Sequence, residues 1–100
     1  MYTIKLDEFA LENLRFIPAK SHSALKDSIL EQLRHEPTVI TRNRKPLDPK
    51  ILEAAWELRC GPQNTYRVLY EVLEEKMQVN ILVIGIKQGS WLIVNGRELE

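Results

Sequence analysis

From Trp56 to Val94 the hydrophobic pattern has the period of two residues that is typical of β-strands. Apolar and charged residues alternate in Trp56-Glu57-Leu58-Arg59-Cys60, which predicts a strand with one buried face. The following Gly61-Pro62-Gln63-Asn64 is typical of a turn, and Tyr66 to Leu73 is the next predicted strand. The second half of the chain is therefore expected to form three or four antiparallel strands joined by hairpins.

Two further strands are predicted after the turn Glu74-Glu75-Lys76. Val79 to Ile86 is nearly all apolar, as expected for a central strand that is covered on both faces. Trp91-Leu92-Ile93-Val94 is a last short strand, and a polar tail is expected from Asn95 onward.

The first half of the chain has the pattern of a strand followed by two helices. Residues 2–6 are β-branched and aromatic enough for a short strand, and Asp7 suits the N-cap of a short helix. A second helix is predicted from about Ala19 to His35, and Pro37 ends it because a residue before proline avoids the helical conformation. The apolar stripes of the two helices are Phe9, Leu11, Leu14 and Ile17, and Leu25, Ile29 and Leu33.

Residues 38–50 contain two prolines and most of a basic cluster, so they are interpreted as a loop with one irregular extended piece. Ile51 to Ala55 is interpreted as a single helical turn. The order of elements indicates a single α+β domain over residues 1–100, with the N-terminal strand and a helical hairpin packed on one face of a small, mainly antiparallel sheet. The other face is then partly open, and its charged residues are candidates for a functional site.

Composition argues against several classes of protein. Fourteen acidic and fourteen basic residues give a net charge of zero, which predicts no general affinity for nucleic acid. The single cysteine, Cys60, leaves no internal disulfide and no multi-cysteine metal site. No apolar run approaches the roughly 20 residues of a membrane span, and the N-terminus lacks a signal-peptide pattern, so a cytoplasmic protein is expected. His22 and His35 lie far in sequence from the charged strands and are poor candidates for catalysis.

Three cations at charged positions of the predicted strands are candidates for a functional site. Glu57 and Arg59 share one face of their strand, and hairpin pairing would place Arg59 near Arg67 on the next strand. Like charges that close together destabilise a sheet unless an anion or Glu57 lies between them. Lys87 ends the apolar strand at the rim of the sheet. Two structural alternatives stay open, a cross-strand salt bridge from Arg67 to Glu57 or Glu71, and a solubilising role for Lys87.

A second candidate is the basic stretch that contains Arg42, Arg44 and Lys45, opposed locally by Asp48. A local basic patch can bind phosphate in a protein that is neutral overall. The alternative is a solvated loop without a binding role.

The segments 56–61 (WELRCG), 66–72 (YRVLYEV) and 79–87 (VNILVIGIK) resemble the RelE/ParE toxin family of bacterial type II toxin–antitoxin modules. That family has a strand ending in a basic residue and glycine, then a Tyr-Arg strand, then an apolar strand closed by glycine and a basic residue. The predicted order of strand, helices and sheet agrees, so the resemblance covers essentially the whole chain.

The resemblance assigns roles residue by residue. Arg67 matches the active-site arginine of the family, Arg59 the basic residue of the preceding strand, and Lys87 the basic residue after the glycine. Glu57 stands where endonuclease members often carry a further lysine. The C-terminal tyrosine or histidine of those members has no clear counterpart, since the corresponding region reads Trp91-Leu92-Ile93-Val94.

What the resemblance implies is a ribosome-dependent mRNA endonuclease (mRNA interferase) that needs neither metal nor cofactor, inhibits translation and is held inactive by a cognate antitoxin protein. Arg59, Arg67 and Lys87 would stabilise charge on the phosphate, and Glu57 is the candidate base. Arg42, Arg44 and Lys45 would bind the RNA backbone of the ribosome or the messenger. The same family scaffold also carries gyrase-inhibiting toxins, and a catalytically weak homologue acting through antitoxin binding and corepression is a further alternative.

Overall fold

The computed structural model describes residues 1–99. Within that range the chain forms two α-helices and seven strands, linked by short turns. The elements are β1 (Thr3–Leu6), α1 (Glu8–Asn13), α2 (His22–Leu33), β2 (Arg44–Ile51), β3 (Ala54–Cys60), β4 (Tyr66–Leu73), β5 (Gln78–Gln88), β6 (Trp91–Val94) and β7 (Arg97–Glu98).

The strands form one sheet in the order β2-β3-β4-β5-β6-β7, and each of these neighbours is antiparallel. The strand β1 pairs in parallel with the first part of β5, from Gln78 to Ile81. Pairing of β5 with β6 begins only at Ile86. One edge of β5 is therefore shared by the N-terminal strand and the C-terminal hairpin.

Asn13 closes the gap between these two partners of β5. Its side-chain oxygen accepts a hydrogen bond from the backbone N–H of Ile84 (2.8 Å), and its side-chain nitrogen donates to Asn95 Oδ1 (2.7 Å). Asn13 is only 1% exposed, so an unpaired amide there would be costly. At this point a side chain of α1, and not a neighbouring strand, accepts the backbone hydrogen bond of β5. This hydrogen bond fixes α1 against β5.

The main core lies between the helices and one face of the sheet. The predicted α2 stripe is confirmed, since its three apolar residues are all buried. This cluster includes Ala10, Ile17, Leu25, Ile29, Leu33, Leu58, Val68, Tyr70, Val79, Ile81 and Ile84. A smaller cluster covers part of the other face and contains Ala54, Leu69, Val83 and Val94. The predicted α+β class, with helices on one face of a mainly antiparallel sheet, is confirmed.

A bulge in β5 keeps its apolar residues on the helix side. Leu69 pairs with Val83, but the next residue, Tyr70, pairs with Ile81, so Leu82 is extra. The bulge shifts the alternation by one residue. As a result Ile81 and Ile84 both face the helices although they are three residues apart.

The segment between α2 and β3 differs from the prediction. Residues 38–50 were expected to form a loop with one irregular extended piece. The extended piece is present as the edge strand β2, but it covers all of Arg44–Ile51, so the expected loop is wrong from Arg44 onward. Pro46 pairs with Trp56, and an edge strand tolerates proline because one of its sides lacks a partner strand. The helical turn expected over 51–55 is also wrong, since Leu52 and Glu53 have φ of 46° and 70° and form a hairpin turn.

Smaller differences occur at the ends of elements. The helix α2 begins at His22, after a 3₁₀ turn at Ala19–Ser21, and ends at Leu33. Asp7 precedes α1 as expected, but its side chain makes no capping hydrogen bond, and Leu11 is exposed. The polar tail expected from Asn95 instead contains the short strand β7.

Candidate functional site

The pairing of β3, β4 and β5 brings the predicted charged residues together on the face opposite the helices. Arg59 pairs directly with Arg67, and Arg67 pairs in turn with Gly85 on β5. Lys87 follows two residues after Gly85 and therefore points to the same face. Three cations from three adjacent strands are thus neighbours.

Glu57 separates the two arginines. Its Oε1 atom lies 3.0 Å from Arg67 Nε and 3.3 Å from Arg59 Nε, and its Oε2 atom lies 3.8 Å from Lys45 Nζ. The Glu57 side chain is only 9% exposed. One buried carboxylate is therefore shared by three cations, which explains how two arginines can face each other in adjacent strands. The salt bridge from Arg67 to Glu57, anticipated as a structural alternative, is present.

Arg67 is fixed more firmly than its neighbours. It is 7% exposed, and its Nη1 atom donates hydrogen bonds to the backbone carbonyls of Asn64 and Tyr66. Burial lowers the pKa of Arg67, the Glu57 carboxylate opposes that change, and the charge of Arg59 adds to it. An arginine titrates so far above neutrality that the guanidinium stays charged. Arg67 is therefore a preorganised cation.

These residues surround an open pocket of about 170 Å³. Lys87 is exposed and, within residues 1–99, makes no salt bridge. The pocket is lined by Ile51, Glu57, Arg59, Arg67, Leu69, Lys87, Ser90, Trp91 and Leu92. Three cations against one carboxylate leave a net positive charge, which suits an anion such as phosphate.

Gly85 allows β6 to complete the pocket. A Cβ atom at this position would lie 2.8 Å from Leu92 Cδ1 and 2.9 Å from the backbone oxygen of Ile93. Both distances are too short for any side chain. The glycine beside Arg67 therefore lets β6 lie against β5, and with it Leu92 and Trp91 reach the pocket.

The structure places the residues of the predicted basic stretch in different environments. Arg42 is exposed, and Lys45 is half exposed and faces Glu57. Arg44 lies on the opposite side of β2, where it is 9% exposed and donates a hydrogen bond to the backbone carbonyl of Gln32 in the last turn of α2. A cation at a helix C-terminus interacts favourably with the exposed carbonyls. This burial contradicts the predicted RNA contact of Arg44.

The histidines lie outside the pocket. His22 Nε2 is within hydrogen-bond distance of the carbonyls of Leu14 (2.9 Å) and Ile17 (2.8 Å), so it fastens the turn after α1. In the part of the chain that the structure describes, no group of three or more His, Cys, Asp or Glu residues is placed to hold a metal ion. Across residues 1–99, neither α-helix is long and apolar enough to cross a membrane.

Trp91, Leu92, Ser90 and Ile51 line the pocket but were not predicted to belong to it. Trp91 was assigned only to a strand, and Ile51 to a helical turn. The available signal was the spacing of Trp91 four residues after Lys87, with Gly89-Ser90 as a tight turn between them.

Several known structures share this fold. The isolated RelE toxin of E. coli has a TM-score of 0.57 and 20% identity, over 90% of this chain and 88% of that one. A chain of the intact RelBE toxin–antitoxin complex of E. coli has a TM-score of 0.55 and 21% identity, over 88% of this chain and 99% of that one. The class of fold is therefore that of the RelE toxins.

A third structure is similar in sequence as well. One chain of the toxin–antitoxin complex RelBE2 from Mycobacterium tuberculosis has a TM-score of 0.69 and 29% identity, over 86% of this chain and 98% of that one. No protein-family model matches this sequence, and no curated protein matches it. Together, the likeness in fold and, for this third structure, in sequence supports a RelE-like toxin.

Proposed function

We propose that this toxin is a ribosome-dependent mRNA endonuclease of a type II toxin–antitoxin module in the cytoplasm. The observation that carries the proposal is the convergence of Arg59, Arg67 and Lys87 on one open pocket that holds a single carboxylate. A structural salt-bridge network alone would not require an excess of positive charge at an open surface. A phosphodiester supplies the missing negative charge.

The chemistry that suits these residues is internal transfer at the phosphate. The ribose 2′-hydroxyl gives its proton to water or to Glu57, and its oxygen attacks the adjacent phosphorus. The bond from phosphorus to the 5′-oxygen breaks, and the products are a 2′,3′-cyclic phosphate and a free 5′-hydroxyl. Arg59 and Arg67 stabilise the charge that develops on the phosphate oxygens. Lys87 is the exposed ammonium that can donate a proton to the leaving 5′-oxygen.

Glu57 is the candidate base in the pocket, but its ion pairs limit that role. Its Oε1 atom already contacts two guanidinium groups and its Oε2 atom lies near the Lys45 ammonium group, so the carboxylate is poorly placed to reach a 2′-hydroxyl. The reaction therefore depends on the ribosome to orient the 2′-hydroxyl for attack, which is a large contribution when the geometry is well set. This is the physical reason to propose that cleavage requires the ribosome.

The proposed partners are the cognate antitoxin, the ribosome and the messenger. Two of the similar structures are toxin–antitoxin complexes, which supports an antitoxin partner for this chain. Arg42 and Lys45 are exposed near the pocket strands and would bind the RNA backbone without reading its sequence.

The test is pulse expression in bacteria followed by mapping of transcript 5′ ends. Cleavages in phase with codons are expected for the unchanged protein and should disappear in Arg67→Ala. Because Arg67 is buried, the exposed Lys87→Ala is a second variant that should fold normally and still lose most cleavage. Arg15→Ala, which removes an exposed arginine outside the pocket lining, is the matched control.

Two results would contradict the proposal. Intact transcripts with accumulating DNA breaks would indicate a gyrase-inhibiting toxin. Equal toxicity of Arg67→Ala, Lys87→Ala and the unchanged protein would show that the pocket is not the active site.

A further inference from the structure

A second hollow lies beside the pocket that contains Glu57, at the turn between β3 and β4. This turn pocket is open to solvent and has a volume of about 410 Å³. Its lining includes the three cations of the Glu57 pocket and three residues of the turn, namely Arg59, Arg67, Lys87, Gln63, Asn64 and Thr65. The same three cations therefore face two adjacent hollows, whose other walls differ.

The lining of the turn pocket is more positive than that of the Glu57 pocket. Glu57 lines only the Glu57 pocket, and among residues 1–99 no acidic residue and no apolar side chain lines the turn pocket. Gln63 and Asn64 are exposed, and their side-chain amides add hydrogen-bond donors. Cations and amide donors without an apolar wall suit a phosphate group and not a nucleobase.

The turn is held in place by two of the cationic residues. Arg67 Nη1 donates a hydrogen bond to the backbone carbonyl of Asn64, and the backbone N–H of Lys87 donates to the carbonyl of Thr65 (2.8 Å). Gln63 and Asn64 have φ of 54° and 55°, in the left-handed region that is unfavourable for residues other than glycine. Strained residues that the surrounding structure holds in place are concentrated at functional sites. The turn therefore presents its amides from a fixed backbone.

We propose that the turn pocket binds the phosphate next to the cleaved one on the same RNA strand. The inference rests on the proposed function, which places the cleaved phosphate at Arg59 and Arg67 in the Glu57 pocket. One ribose separates successive phosphates of a strand, and the two pockets share the row of cations that lies between them. A strand that crosses this row places one phosphate on each side of it. The second phosphate uses the positive charge that Glu57 leaves unbalanced.

The experiment compares the binding of three deoxydinucleotides to the full chain by calorimetry. The ligand d(ApA) has one phosphate, d(pApA) adds a phosphate at the 5′ end and d(ApAp) adds one at the 3′ end. None of them can be cleaved by the proposed reaction, because each lacks the 2′-hydroxyl. One of the two terminal phosphates is expected to lower the dissociation constant about 5- to 20-fold relative to d(ApA), since it gains a charge-assisted contact.

Two substitutions of glutamine by glutamate locate the added phosphate. Gln63→Glu places a carboxylate in the turn pocket, whereas Gln88→Glu adds the same charge at an exposed position of β5 outside the lining of both pockets. The measured quantity is the ratio of the two dissociation constants, with and without the terminal phosphate, in each variant. An unspecific effect of the new charge on both ligands largely cancels in this ratio. Gln63→Glu should abolish the gain from the terminal phosphate, and Gln88→Glu should keep it.

The proposal is overturned if the three dinucleotides bind equally or not at all, if both terminal phosphates tighten binding to the same extent, or if the gain persists in Gln63→Glu. A turn pocket that takes a phosphate from a separate strand, such as ribosomal RNA, would give equal affinities. The failure of the proposed function looks different. If the gain is present in Gln88→Glu and absent in Gln63→Glu, while transcripts in cells stay intact, the second phosphate site stands and the mRNA endonuclease does not.

Discussion

Replacing Glu57 by glutamine tests whether this carboxylate restrains the arginines or acts as a base. Glutamine keeps the size of the side chain and an acceptor oxygen, but removes the negative charge that lies 3.0 Å from Arg67 and 3.3 Å from Arg59. Arg67 retains its two carbonyl acceptors, at Asn64 and Tyr66. The variant is therefore expected to fold, with a loss of about 1–3 kcal/mol for a weakened charged hydrogen bond.

Although Glu57→Gln is expected to lower the stability of the fold, it is expected to strengthen phosphate binding. A phosphate that contacts both guanidinium groups would lie roughly 5 Å from the carboxylate, where two unit charges repel by about 3 kcal/mol at an effective dielectric constant of about 20. Salt screening at this open site lowers the repulsion to about 1–2 kcal/mol. Glu57→Gln is therefore expected to bind single-stranded RNA roughly 5- to 30-fold more tightly.

The assay is fluorescence anisotropy with a labelled short single-stranded RNA at several salt concentrations. Glu75→Gln is the matched control, because it changes the net charge equally in an exposed turn outside the pocket lining. Glu57→Gln should exceed this control in affinity at every salt concentration. Affinity equal to that of Glu75→Gln, together with a loss of ribosomal cleavage of about 10²-fold or more, would refute the reasoning and identify Glu57 as the base.

Two further outcomes concern the residues around the pocket. Arg44→Ala should lower the free energy of unfolding by about 1–3 kcal/mol because a buried hydrogen bond to α2 is lost. Lys45→Ala should change the free energy of unfolding by less than about 0.5 kcal/mol and reduce the salt dependence of RNA binding. Equal urea-unfolding curves for the two variants would contradict this prediction. Burial raises the pKa of the Cys60 thiol from 9.0 to about 11, so unfolded chains release this proton first and the free energy of unfolding should fall as pH rises between those values. The fall should be smaller in Cys60→Ala, and rapid alkylation of the native thiol at pH 8 would be inconsistent with the raised pKa.

The strands of the second half were predictable because each carries a period-two pattern between turn residues. The bounds of β4 agree exactly with the prediction, and the pairing of Arg59 with Arg67 followed from the short turn between β3 and β4. The strand β2 was not predictable in the same way, since Pro46 and Pro49 disfavour a strand unless the sequence also reveals that it lies at an edge. The bulge at Leu82 depends on tertiary packing and leaves no local signal.

The site was predictable only where residues lie on regular, paired strands. Glu57, Arg59, Arg67 and Lys87 converge as alternation requires, although their catalytic roles stay predictions. Arg44 and Lys45 are adjacent in sequence and equally basic, yet they point to opposite sides of β2. Their separation required knowing that this segment is a strand. Trp91 joins the pocket through the β5–β6 turn, which a pattern of apolar residues does not describe.

The shared edge of β5 has a consequence for the order in which the molecule matures during its synthesis. Residues 3–6 pair with residues 78–81, so β1 gains its partner strand only after residues 78–81 have been synthesised. Contacts this distant in sequence form late. A nascent polypeptide that stops before Ser90 has both arginines but lacks Ser90, Trp91 and Leu92, which line the pocket beside them. Newly made chains are therefore expected to remain inert until β6 has been synthesised.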